Sequence, residues 1–167
     1  KEIGIINIDE KKYYNSIKNF LTKLKDQNGY KIEISCHPRI NINLIKKYFK
    51  NFIIKKYQTI NQIYNSDLVL THESNAINFA ILFKKKILFI TNNELCKQPY
   101  AFKESFEFLS RRLKKKCYNI DNFDIKKLKL ITKVNQKAYA NFVKRYIKFK
   151  GLNEHHANII SKKLKKI

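Results

Sequence analysis

The chain has no methionine, only three glycines and two prolines, and just four arginines (Arg39, Arg111, Arg112, Arg145) among its 36 basic residues. Methionine is missing even from position 1, so we expect the 167 residues to be part of a longer polypeptide or a processed product. Few glycines and prolines leave little room for long flexible linkers. No apolar run approaches the roughly 20 residues that cross a bilayer, so no membrane-spanning helix is expected. No signal peptide is visible, because Lys1 leads directly into a strand-like segment. The three cysteines, Cys36, Cys96 and Cys117, lie far apart with no CxxC pair. That spacing predicts reduced thiols in a cytoplasmic protein rather than a disulfide framework. GxSxG, GKS/T, HExxH and GxGxxG are all absent, which removes the hydrolase, P-loop, zinc-protease and dinucleotide readings at the level of motifs. His155 and His156 have no ligand partner at zinc spacing, so neither a metal nor another resident cofactor is expected.

What is present is charge and apolar pattern. The formal net charge is +23, and lysine supplies nearly all the cations. Lysine is abundant together with isoleucine and asparagine, a bias that AT-rich coding produces on its own. The resulting field still attracts phosphates, nucleic acid or an anionic membrane leaflet. A hydrophobic content of 44%, with 12 Phe and 10 Tyr, is that of a packed globule.

Strand-like runs at 1–9, 30–36, 52–57, 67–71, 86–91 and 117–120 alternate with helical periodicity. The first helical stretch, at about 10–28, which Asp9 can cap, carries Tyr13, Tyr14, Ile17, Phe20, Leu21 and Leu24 at helical spacing and is closed by "DQNG" around Gly29. The others lie at about 43–49, 60–66 with Thr59 as its cap, 74–84, 100–115, 124–149 and 153–166. This alternation predicts an α/β fold, a Rossmann-like, mostly parallel sheet with helices on both faces, followed by C-terminal helices. We assign 1–150 to that domain and 151–167 to a basic amphipathic helix.

Ligands of open parallel sheets collect beyond the carboxyl ends of the strands, so the residues after each strand are the candidates. "HPR" follows 30–36, "HESN" follows 67–71 and "NNEL" follows 86–91. Pro38 fixes its own φ and keeps His37 out of helical geometry, turning the chain sharply. His37 and Arg39 then either serve a phosphate or merely close the strand end. Ser74 and Asn75 are expected to open a helix, either as a simple cap or as part of a phosphate cradle. His72, Glu73 and Glu94 are weaker candidates for a ribose or sugar, with burial as the alternative for His72 and solvent for Glu73.

"EISCHPR" together with "IYNSDLVLTHESNAINFAILFKKKILFITNNEL" resembles the C-terminal, donor-binding half of GT-B glycosyltransferases, over roughly residues 1–120. The likeness is to bacterial capsule and lipopolysaccharide enzymes, including sialyltransferase-like ones with an HP pair and a later Ser-Ser/Thr pair. The resemblance implies a nucleotide-sugar-binding domain in which His37, Pro38, Arg39, Ser74 and Asn75 bind the donor phosphate and nucleotide, CMP- or UDP-linked. Asn75 departs from the usual Ser or Thr. The resemblance further implies an acceptor glycan or lipid-linked acceptor and a general base on a separate N-terminal domain. It also implies a cytoplasmic location, with peripheral contact at the inner, anionic face of the membrane. UDP-N-acetylglucosamine 2-epimerase is similar in element order, and there Glu94 matches the ribose-binding glutamate, but the paired glycines are missing. A non-catalytic basic nucleic-acid-binding module and a silent scaffold domain are the other readings. Few arginines and no RNP-type aromatic pair speak against nucleic acid.

Overall fold

The computed structural model describes residues 8–72, 74–98 and 100–147. Helix α1 (Glu10–Asn28) begins where the Asp9 side chain accepts from the Lys12 N–H, as the sequence predicts. It ends at Gly29, whose φ of 69° is the left-handed geometry that a side chain would strain. There follow β1 (Glu33–Cys36), α2 (Ile42–Phe49), β2 (Ile53–Lys56), α3 (Thr59–Tyr64), β3 (Leu68–Thr71), α4 (Ile77–Leu82) and β4 (Lys86–Thr91). A short α5 (Asn93–Cys96), then α6 (Tyr100–Arg112), β5 (Cys117–Asn119), α7 (Leu128–Ile131) and α8 (Gln136–Phe142) complete the order.

Every strand pair among the described residues is parallel. β1 pairs with β2, Cys36 opposite Lys56, and β3, β4 and β5 form a second group in that order. The fold is therefore α/β with parallel sheets, as the alternation predicts, but among the described residues the strands form two groups rather than one. The strand expected over 1–9 falls, except for Ile8 and Asp9, outside the described residues. So do the helix expected over 153–166, the whole segment 151–167, and the end of the one expected over 124–149.

β4 shows why its sequence is almost wholly apolar. Leu88 and Ile90 enter one core with Phe20, Leu24, Ile45, Phe49 and Cys36. Ile87 and Phe89 enter the other with Ile63, Ile77, Ala80, Ile81 and Tyr139. Alternate side chains of one strand thus serve both faces, with α1 and α2 on one side and α3, α4 and α8 on the other. Tyr139 seals the second face by donating its hydroxyl to the Lys85 carbonyl at 3.0 Å. Burial holds that phenol well above its ordinary pKa.

Two expectations are corrected by local hydrogen bonding. The helix expected over 124–149 is broken into a 3₁₀ turn (Ile125–Lys127), α7, α8 and a π-helical turn (Val143–Ile147). Asn135 interrupts the run by capping α8, its side chain accepting from the Ala138 N–H at 3.0 Å. Thr59, expected as a cap, is instead the first residue of α3, and its hydroxyl lies 2.6 Å from that of Ser35 on β1.

Candidate functional site

At the carboxyl end of β1 the chain reverses through His37, Pro38, Arg39 and Ile40, closed by the Ile40 N–H donating to the His37 carbonyl at 3.0 Å. The ring of His37 folds onto this turn, and its Nδ1 accepts from the Arg39 N–H at 3.1 Å. An accepting Nδ1 carries no proton, so the neutral ring keeps its hydrogen on Nε2 as a donor the fold does not use. His37, Pro38 and Arg39 are all exposed. The neighbouring strand end supplies two residues that sequence reasoning missed. Lys56, paired across from Cys36, donates from Nζ to the Ile40 carbonyl at 3.2 Å and so clamps the turn's exit. Tyr57 follows with φ 62° and is 76% exposed, with the Lys56 ammonium 5.4 Å from its ring centre. The signal was present in "KKY" at a strand's carboxyl end, but nothing local indicates the left-handed backbone.

After β3, His72 turns inward. Its Nδ1 donates to the Ile90 carbonyl on β4 at 2.8 Å, and its ring packs 5.8 Å from that of Tyr13. Burial pushes its pKa below the ordinary histidine value, the carbonyl bond opposing in part. The same burial raises Tyr13 to about 12. Glu73 lies outside the described residues. Ser74 and Asn75 are exposed and form a turn ahead of α4, which begins only at Ile77. Ser74 Oγ accepts from the Ala76 N–H at 3.2 Å, and Ile77 N–H donates to the Ser74 carbonyl. The expected helix opening at Ser74 is thus a serine turn, whose hydroxyl proton is left to donate elsewhere.

After β4, Asn92 is fully buried and caps α5 by accepting from the Leu95 N–H at 2.9 Å. Glu94 is 6% exposed, accepts from the Asp9 N–H at 3.2 Å and pairs with Lys97. The Lys97 hydrogen bond, first of all, holds its carboxyl below the ordinary glutamate range. Its oxygens are engaged in anchoring the start of α1 to α5.

The first turns of α1 lie between these strand ends. Tyr13 packs on His72, while Tyr14 stacks on Tyr48 of α2 at 4.6 Å between ring centres. Asp9, Glu10 and Glu94 gather at this helix start, with Lys12 and Lys97 paired to two of them. Those carboxylates already occupy the positive end of the helix and disfavour phosphate there. Among the described residues no hydrogen bond joins His37, Arg39 and Lys56 to the Ser74 turn. Comparison of the chain with family models, curated proteins and solved structures finds no match.

Proposed function

We propose that this chain is the donor-binding half of a glycosyltransferase that takes a sugar from a nucleotide donor for a bacterial surface glycan. One observation carries the reading: the His37–Pro38–Arg39 turn leaves an Nε2–H donor unused by the fold, next to Arg39, Lys56 and a strained, exposed tyrosine. Cations and N–H donors neutralise the phosphate of the leaving nucleotide, and charge on that group grows as the glycosidic bond to it breaks. The face of Tyr57 suits stacking of a base or sugar. The Ser74 hydroxyl and the Asn75 amide supply neutral donors from the β3 side. No side chain described here is assigned as the base that activates the acceptor, which the proposal leaves to another domain. The acceptor is a glycan or a lipid-linked glycan, and the enzyme works at the inner face of the membrane.

Calorimetric titration with CMP, UDP and their sugars tests this. His37→Ala is expected to weaken binding by about 1–3 kcal/mol, the range for losing a hydrogen bond to a charged group. His37→Gln, whose amide reaches the Nε2 position, recovers part of it. Equal affinity of His37→Ala and the parent for every nucleotide removes the phosphate role.

A further inference from the structure

At the other end of β5, away from the strand carboxyl ends, an open concavity of about 560 Å³ is lined by Lys114, Lys115, Lys116 and Lys133, with Tyr118, Leu130, Ile131, Val134 and Asn135. Its volume falls in the range of small-ligand sites, and four of its nine lining residues are lysines while none is acidic. The lysines have different jobs. Lys115 builds the floor, donating from Nζ to the carbonyls of Ile131 at 3.3 Å and Lys133 at 3.1 Å. It thereby ties the strand β5 approach to the segment joining α7 and α8. Lys114, Lys116 and Lys133 are exposed, and among the described residues no carboxylate lies within 4 Å of their ammonium groups.

Gathering cations around apolar walls concentrates a positive potential in the hollow, because field lines are confined by the low-dielectric lining. Without an anion, these groups repel one another and Lys115 bears a desolvation cost that its two carbonyls offset only in part. Burial accordingly pushes the Lys115 pKa down. A multiply charged anion relieves both terms at once.

We propose that this concavity is a second anion site, separate from the crevice at the strand carboxyl ends, that binds a phosphate-bearing group through Lys114, Lys116 and Lys133. Two sources carry that chemistry, a free diphosphate or the phosphate of a lipid headgroup. Leu130, 66% exposed at the rim, suits the second as an apolar contact with acyl chains. This inference is independent of the glycosyltransferase reading, since its residues and its probes need no sugar donor.

The test uses the full 167-residue chain and two probes: pyrophosphate followed by calorimetry, and sedimentation with vesicles of phosphatidylcholine holding about 30 mol % phosphatidylglycerol. Two charge-matched variants are compared. One is Lys114→Gln/Lys116→Gln/Lys133→Gln, which leaves the structural Lys115 in place. The other is Lys46→Gln/Lys47→Gln/Lys50→Gln, on and just after α2. Both replace exposed side chains, and circular dichroism melts verify that each is folded. The first is expected to lose about tenfold or more in affinity, and the second to stay within about twofold of the parent. Saturable pyrophosphate binding assigns the free anion. Vesicle binding without it assigns the headgroup. Equal losses in the two variants reduce the effect to net charge and overturn the site, as does a parent that binds neither probe.

Discussion

Tyr57 holds a backbone that costs an L-residue about 1–2 kcal/mol relative to ordinary regions. It does so while 76% exposed, where burial offers little compensation. Strain of this kind persists where the surroundings impose it and concentrates at functional sites. Tyr57→Gly removes the Cβ clash, although glycine's freer unfolded chain takes back about 0.4–1 kcal/mol. The net expectation is a protein more stable by about 0.5–1 kcal/mol in urea denaturation and weaker in nucleotide binding. A variant that is less stable and binds equally well refutes both the strain and the stacking role. His37, at the end of the paired strand β1, shows what was legible at this scale. Its place after a strand and before proline predicted a sharp turn, and the turn is there. That the ring would fold back onto the Arg39 N–H depends on a side-chain torsion no pattern encodes. His72 follows the alternative weighed for it, its ring bonded to the Ile90 carbonyl, while the engagement of Glu94 by Asp9 and Lys97 came from contacts that no local pattern encodes.

Among the elements, β4 is the central member of its group and is covered on both sides, whereas β2 is not. Phe89 is fully buried and Ile53 is 39% exposed. Phe89→Ala is expected to cost about 3–5 kcal/mol, the sum of lost transfer and a cavity that packed neighbours cannot close. Ile53→Ala should cost under about 1 kcal/mol by the same reasoning. Chemical denaturation of the two variants checks the contrast, and similar losses would mean that β2 is as central as β4. Element types were readable because apolar periodicity is a local property, and β4 spans the expected 86–91. Element ends were less so. α4 begins three residues later than expected because Ser74 bonds the Ala76 N–H and forms a turn of its own. The C-terminal run of helical pattern is cut where Asn135 finds a better use for its side chain as a cap.

For the molecule as a whole the formal charge is +23, and among the described residues it is opposed by few ion pairs, most of them between exposed groups whose worth is small. Self-repulsion should then limit stability at low salt. Raising ionic strength from about 10 to 200 mM shortens the screening length from about 30 Å to under 10 Å, so the melting temperature is expected to rise by several degrees. A fall in scanning calorimetry would mean that attractive pairs dominate. Among the described residues no helix is long and apolar enough to cross a membrane, as the absence of long apolar runs implied. Composition and periodicity by themselves determined the α/β class, the parallel pairing and the buried character of β4, because these follow from which side chains must leave water. Tertiary structure alone decided that Glu94 anchors α1, that Lys56 clamps the His37 turn, and that lysines around position 115 share a hollow with Lys133. Those outcomes depend on which distant segments meet, and a charge or hydrogen-bonding group has no assigned role until its partner or its isolation is set in space.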